Sequence, residues 1–144
     1  MISSLFVRGR RLFTTASLAT LLFGVLHLYG TGRPVPPPLD VVVEVMQNSA
    51  IEMGFGMSPS MWDMHQGITY TMGIMALMMG ALGLVFAATT EIPAKVLTRT
   101  AAVYTAGFLV LAALYYVYRL PAALIIVTIQ ALLWGIAQRT TRLA

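Results

Sequence analysis

Apolar residues dominate four stretches of the chain, and each stretch is long enough to cross a lipid bilayer as a helix. A membrane-spanning helix needs about 20 apolar residues, because each residue rises about 1.5 Å along the helix axis. The predicted spans are residues 12–30, 67–89, 96–118 and 121–138. The pattern therefore predicts an all-α fold in which residues 1–144 form a single membrane domain, an antiparallel four-helix transmembrane bundle.

The breaks between these spans are short, except for a polar segment at residues 31–66. Little more than Arg119-Leu120 separates the third span from the fourth, and Pro121 suits the first turn of a helix. A single bent helix through both spans would be roughly 60 Å long, twice the thickness of the hydrocarbon layer. We therefore expect a helical hairpin at this point.

The beginning of the chain has features of a secretory signal peptide, because Arg8 and Arg10 precede the first apolar run. That run ends at Tyr29-Gly30-Thr31-Gly32 and not at a typical cleavage site of small residues. We therefore expect the first span to be retained as a helix.

Basic residues lie mainly at one end of the predicted spans, and they set the expected orientation. One side carries Arg8, Arg10, Arg11, Lys95, Arg99, Arg139 and Arg142, and the other carries Arg33 and Arg119. The positive-inside rule then predicts cytoplasmic N- and C-termini (N-in/C-in) and an extracytoplasmic loop at residues 31–66. Because these cations end apolar runs and do not form one basic face, membrane lipid is the expected partner and nucleic acid is not.

Composition removes several kinds of chemistry. The chain is 58% hydrophobic and 10% charged, and it contains no cysteine. The lack of cysteine excludes disulfides, thiolate metal sites and a cysteine nucleophile. The sequence also lacks a glycine-rich phosphate-binding loop and the HExxH and GxSxG motifs. No catalytic residue is therefore assigned, and the expected function is non-enzymatic.

The loop between the first two spans is predicted to contain an amphipathic helix. Its polar stripe consists of Asp40, Glu44, Gln47, Asn48 and Glu52, at helical spacing. Valine and methionine take the other faces, which suits a helix lying on the outer membrane surface. We expect Asp40 to cap this helix, and Ser60 with Asp63 to form the capping box that begins the second span.

The second span carries two stripes at helical spacing. The larger residues are Met61, His65, Ile68, Met72, Met75, Met79, Leu82 and Phe86, and the smaller ones are Gln66, Thr69, Gly73, Ala76, Gly80, Gly83 and Ala87. The stripes differ by one residue and so lie about 100° apart, as two neighbouring helices in a bundle require. We therefore expect both stripes to be contact faces, with His65 pointing into the bundle.

Polar and ionisable residues collect in the outer half of the predicted bundle. The candidate ligand-binding residues are His27, His65, Tyr70, Tyr115 and Arg119, in an outward-facing pocket roofed by the amphipathic helix. Ionisable groups inside a membrane are costly and point to function. Simpler explanations exist for each: a hydrogen-bonded neutral His27, a helix cap at Asp63, and a belt of interfacial tyrosines.

Methionine and histidine also permit a metal or haem. Met57, Met61, Met64 and His65 offer thioether and imidazole ligands, which suit Cu(I). The same methionines are equally explained as pliable packing. His27 and His65 are the two histidines available as axial haem ligands. The sequence alone assigns no cofactor.

Several short motifs carry a family resemblance. They are His27-x-Tyr29-Gly30, the proline-rich loop, Trp62-Asp63-x-x-Gln66-Gly67, and Tyr118 three residues before Pro121. With this layout the chain resembles a group of small bacterial four-helix integral membrane proteins of unknown function. The resemblance implies the fold and a location in a bacterial plasma (inner) membrane, and it implies no activity.

Three functional hypotheses follow. The first is a non-enzymatic protein, either an accessory subunit or a binder of a lipid-like ligand, acting in a homo-oligomer or a larger membrane complex. The second is a copper or haem protein on the extracytoplasmic side. The third is an intramembrane enzyme that uses His27 and Asp63 as acid–base groups on a hydrophobic substrate.

Overall fold

The computed structural model describes residues 2–117, 119 and 121–143, and this part of the chain contains helices and no β-strand. The helices are α1 (Ile2–Thr31), α2 (Asp40–Gln47), α3 (Met61–Ala88), α4 (Ala94–Val117) and α5 (Pro121–Arg142). All except α2 are long and apolar enough to cross a membrane, which indicates a multi-pass membrane protein. The predicted all-α class with four spans is thus confirmed, although Tyr118 at the end of the third span lies outside the described residues.

Helix α3 begins earlier than its apolar run, because a capping box starts it. The Ser60 backbone N–H donates to the Asp63 carboxylate (3.1 Å), and the Asp63 N–H donates to the Ser60 hydroxyl oxygen (3.0 Å). Each side chain satisfies a backbone donor that the helix itself leaves unpaired. The predicted capping box is confirmed, and the helix therefore begins at Met61 and not at Gly67.

Contacts divide the chain into two compact units, which are described separately below. The first unit contains Met1–Leu22 and Met78–Ala144, and the second contains Phe23–Leu77. Helices α1 and α3 each contribute residues to both units.

Trp134 of α5 is the centre of the first unit, and its side chain is fully buried. The rings of Phe13 and Tyr104 both meet the indole edge-on, with centroids 5.0 and 4.6 Å away. Edge-on contacts place the positive ring edge on a negative ring face, which adds to the packing energy of aromatic side chains. Residues from α1, α4 and α5 are thus joined in one aromatic core.

A hydrogen-bond network runs beside this core. The Trp134 indole Nε1–H donates to the hydroxyl oxygen of Thr20, at 2.9 Å. That hydroxyl also lies 2.9 Å from the Ala16 carbonyl oxygen and 3.0 Å from Oε1 of Gln130, which is itself buried. Polar groups removed from water need partners, and this network supplies them between α1 and α5.

Small residues let α1 and α3 approach closely within the first unit. A Cβ built on Gly80 would lie 2.5 Å from the backbone nitrogen of Leu21, and one on Gly83 would overlap the Ser17 hydroxyl. The Ser17 hydroxyl donates to the carbonyl oxygen of Phe13, at 2.9 Å, within its own helix. Such close backbone approach is how helices associate where lipid supplies no hydrophobic drive.

Helices α4 and α5 form the predicted hairpin and not one bent helix. The Thr98 hydroxyl near the start of α4 lies 3.0 Å from that of Thr141 near the end of α5. The turn between them places Arg119 at a φ of 54°. The two helices are therefore antiparallel.

Arg10 of α1 fixes the turn that joins α3 to α4. Its guanidinium donates to the carbonyl oxygens of Ala87 (3.0 Å), Thr90 (3.1 Å) and Ile92 (3.1 Å). The carbonyl groups at the C-terminal end of a helix have no partner within the helix and carry partial negative charge, so a cation is favourable there.

In the second unit, the last turns of α1 pack against the first half of α3. A Cβ on Gly24 would lie 2.7 Å from the backbone nitrogen of Leu77, and one on Gly73 would lie 2.5 Å from the Leu28 side chain. The smaller stripe of α3 is thus a contact face here as well.

The loop helix is shorter than predicted. Helix α2 ends at Gln47, so Glu52 lies outside it, and α2 has no buried residue. Asp40 is its first residue and not its cap, since its carboxylate accepts from the N–H of Val41 (3.0 Å) and the capping position is Leu39. The predicted polar stripe extended beyond the helix, because α2 ends at Gln47 and Asn48 is its C-terminal capping residue.

Residues 49–61 form a small hairpin that the sequence pattern did not predict. Met61 N–H donates to Ser49 O (2.8 Å), and Met53 N–H donates to Met57 O (3.1 Å). The tip is Gly54-Phe55-Gly56, with φ values of 80°, 54° and 75°. The Phe55 side chain at this tip is fully exposed.

Candidate functional site

An open apolar groove lies in the second unit, between the hairpin and α3. It has a volume of about 390 Å³ and is lined by Met53, Met64, Gly67, Ile68, Thr71 and Met72. Met53 comes from the hairpin and the other lining residues come from α3. We call this the methionine groove.

The shape of the methionine groove depends on a residue without a side chain. A Cβ built on Gly67 would have no other heavy atom within 4 Å, so the space above this glycine is open. The one hydroxyl in the lining belongs to Thr71, and it donates to the Gly67 carbonyl oxygen at 2.7 Å. Because that hydroxyl is satisfied within the helix, the groove presents apolar and thioether atoms to a ligand.

The larger stripe of α3 is a contact face only in part, since Met79 and Phe86 pack against the hydrophobic core of the first unit. Met61, Ile68, Met75 and Leu82 are all exposed, whereas Gly73, Ala76, Gly80 and Gly83 of the smaller stripe are buried. The backbones of two helices can pack closely only along a face of small residues, which here is the smaller stripe. The exposed Met61 and Met75 side chains therefore face away from the protein, where lipid or a ligand can contact them.

His65 does not point into the bundle, because it follows the exposed stripe. Its ring is exposed and lies against Trp62, with centroids 5.5 Å apart and planes tilted by 31°. An amphipathic pair of this kind is typical of the boundary between lipid and water.

His27 lies deeper in the second unit. Its Cδ2 would be 3.3 Å from a Cβ on Gly73, and its ring centroid is 5.6 Å from that of Phe23. In the part of the chain that the structure describes, its Nε2 is buried without a hydrogen-bond partner, as is Oε1 of Gln66. Unpartnered buried polar atoms are uncommon and costly.

His27, His65 and Asp63 lie at different levels along the axis of α3. This separates both the two histidines predicted as haem ligands and the predicted acid–base pair of His27 and Asp63. His27 lies at the level of Gly73, which is about 12 Å along the axis from His65 and about 15 Å from Asp63. Two axial ligands of one haem must face each other across a single iron, so this separation disfavours a haem held between the two histidines. Asp63 is exposed and bonded to Ser60, so it does not share a site with His27.

The remaining predicted ligand-binding residues fall in different units. Tyr70 of the second unit is exposed, with its hydroxyl 3.7 Å from a Cβ built on Gly32. Tyr115 of the first unit is half-buried and packs against the aromatic core, and Arg119 is exposed in the turn after α4. Their shared binding role stays a prediction.

Within the predicted metal set, Met64 lines the methionine groove, and Met57, Met61 and His65 are exposed. The groove brings Met53 and Met72 to Met64 instead. Helical spacing alone relates Met64, Ile68 and Met72, but Met53 joins them only through the hairpin, whose register no local pattern indicates. The described residues contain no group of three or more histidine, cysteine or acidic side chains suited to a metal.

Comparison with known proteins found no matching family model, no similar curated protein and no similar solved structure. The resemblance to small bacterial four-helix membrane proteins therefore stays a prediction.

Proposed function

We propose that this chain is a non-enzymatic membrane protein that binds the hydrocarbon chain of a lipid-like ligand in the methionine groove. The observation that supports this most directly is an open apolar groove of about 390 Å³ beside the end of a membrane-spanning helix. Ligand sites are typically 300–1,000 Å³ and mostly apolar. A groove of this character suits an acyl chain better than a polar substrate.

Methionine is a suitable lining for a flexible ligand. Its unbranched side chain has three rotatable bonds and a polarisable sulfur, so it adapts to irregular apolar surfaces at little cost. Met53, Met64 and Met72 surround the groove from two segments of the chain. The proposed role is therefore capture of a hydrocarbon chain without chemical change, either alone or as an accessory subunit of a larger membrane complex.

The orientation is part of the proposal. With both termini in the cytoplasm of a bacterial cell, the loop that contains the hairpin and the methionine groove faces outward. The excess of arginine and lysine beside the ends of α1, α4 and α5 supports this orientation. An exchange of ligand with the extracytoplasmic side then needs no passage through the bundle.

A photoactivatable fatty acid tests the proposal, with the purified full chain in phosphatidylcholine vesicles. We expect cross-links on α3 near Met64 and Met72 and on the hairpin at Met53. Gly67→Leu places a side chain in the groove, and its Cβ meets no protein atom, so it should remove most of this cross-linking while the helices remain folded.

Gly107→Leu is the matched control. Gly107 is also an exposed helical glycine with nothing within 4 Å of a built Cβ, but it belongs to α4 in the first unit. Its replacement should leave the cross-linking unchanged. Equal cross-linking of the wild type and Gly67→Leu at these positions would refute the groove as the binding site.

Cu(I) binding is a second candidate, because three thioether sulfurs line one groove. Replacing Met53, Met64 and Met72 together by leucine keeps the groove apolar and removes the sulfur ligands. A Cu(I) site would lose the metal in a competition assay with a coloured chelator, whereas an acyl-chain site would keep its fatty-acid cross-links. The triple variant thus separates the two functions.

A further inference from the structure

A second groove lies in the first unit, where the start of α4 meets the end of α5. It has a volume of about 330 Å³ and is lined by Ala94, Lys95, Thr98, Arg99, Thr141 and Arg142. We call it the basic groove. It differs from the methionine groove in that half of its lining residues are cations.

The three cations of the basic groove have no acidic counterpart. Lys95, Arg99 and Arg142 are exposed, and none of them forms an ion pair within the described chain. Glu91 is the only acidic side chain in the sequence of the first unit. Like charges held around one groove repel each other, so an anion from outside the chain would be bound favourably there.

The positions of these cations are fixed by the packing beneath them. Lys95 and Arg99 are one turn apart and share a face of α4. Arg142 follows Thr141, which is buried, lies 3.0 Å from the Thr98 hydroxyl, and donates to the Ala137 carbonyl oxygen at 2.9 Å. The two helix ends are therefore held together, so packing sets the backbone positions of the three cations around the groove.

We propose that the basic groove binds a phosphate group, and that its source is the headgroup of an anionic phospholipid. Both helices are long and apolar enough to cross a membrane, and the groove lies at their ends. A bilayer that these helices span has its headgroups at this level. Arginine pairs with phosphate through two parallel hydrogen bonds, and basic pockets between transmembrane helices bind anionic headgroups. The proposal concerns the first unit and does not depend on the methionine groove.

Lipid selectivity of the full chain in phosphatidylcholine vesicles provides the test. Spin-labelled phosphatidylglycerol is compared with spin-labelled phosphatidylcholine, and the ratio of their association constants is measured by electron paramagnetic resonance. We expect phosphatidylglycerol to be preferred. Arg99→Gln and Arg142→Gln should each lower the ratio about fivefold, since a cation near the headgroups contributes about 1 kcal/mol.

Arg139→Gln is the matched control, because Arg139 is an exposed arginine of α5 that does not line the groove. If the headgroup binds in the basic groove, Arg139→Gln should lower the phosphatidylglycerol preference much less than Arg142→Gln does. Equal losses from the two variants would overturn the proposal, because general attraction by surface charge would then explain the preference.

A second arm distinguishes the source of the phosphate. Inorganic phosphate is added to the protein in a zwitterionic detergent at constant ionic strength, and thermal unfolding is followed by circular dichroism. Stabilisation that Arg142→Gln removes, without any preference for phosphatidylglycerol, would support the site with soluble phosphate as its source. No stabilisation together with no lipid preference would overturn the proposal.

Discussion

The two units of the molecule differ in how completely they enclose their side chains. The first unit buries Trp134, Phe13 and Leu97 fully and pairs its buried hydroxyls. Among the described residues of the second unit, Ala76 is the buried hydrophobic side chain, and the polar atoms His27 Nε2 and Gln66 Oε1 are buried without partners. The contrast predicts that substitutions in the core of the first unit cost more stability than comparable substitutions in the second.

The largest effect should come from Trp134→Ala. Removing a fully buried indole leaves a cavity between three helices and also removes the donor to Thr20, so we expect about 4 kcal/mol of destabilisation. Unfolding in mixed micelles by a denaturing detergent, followed by circular dichroism, measures this. Trp62→Ala in the second unit should cost about 1 kcal/mol or less, because that ring is half-exposed. Similar losses in the two variants would contradict the comparison.

Alanine at two glycines of α3 compares helix approach in the two units. At Gly80 the new methyl group would meet the Leu21 backbone, which cannot move without shifting α1, and we expect a loss of about 2 kcal/mol. At Gly73 it would meet the Leu28 side chain, which can rotate away, so the loss should be less than half as large. The same unfolding assay applies, and Gly107→Ala should gain up to about 1 kcal/mol.

Thr20→Val tests the buried network while keeping the volume of the side chain. Trp134 Nε1 then loses its acceptor, and we expect a loss of about 1 kcal/mol, as is usual for hydrogen bonds within membranes. Thr128→Val is the control, since that exposed threonine bonds only to the Leu124 carbonyl oxygen. A loss in the control as large as that at Thr20 would show that the network adds nothing beyond the local helix bond.

The smallest expected effect is a gain in stability, from replacing Phe55. Phe55 lies fully exposed at a φ of 54°, where side chains other than asparagine, aspartate and glycine are strained. Phe55→Asn should therefore stabilise the chain by up to about 0.5 kcal/mol. Loss of stability in the same unfolding assay would mean that the phenyl ring has a partner in the membrane.

The spans, the capping box and the smaller stripe of α3 could be predicted because each is a local or periodic feature. Apolar length fixes a span, Ser60 and Asp63 are three residues apart, and Gly73, Gly80 and Gly83 recur on one face. Such features need only the geometry of one helix.

The sites themselves could not be predicted in this way. Trp134 receives its partners from α1 and α4, and Met53 reaches the methionine groove through a hairpin whose register no local pattern indicates. The larger stripe of α3 was expected to be a contact face along its whole length, but Met61, Ile68, Met75 and Leu82 are exposed. Periodicity identifies a face and does not say whether lipid or protein covers it. His65 was misplaced for the same reason.

The hydrogen bonds from Arg10 to the carbonyl oxygens of Ala87, Thr90 and Ile92 have a consequence for biogenesis. Ribosomes make α1 first, so the guanidinium is already at the membrane when the third helix emerges. The carbonyl groups at the end of α3 and in the turn after it therefore have their donor in place before α4 and α5 are complete. An arginine in the first helix to be synthesised thus binds a turn that is synthesised later.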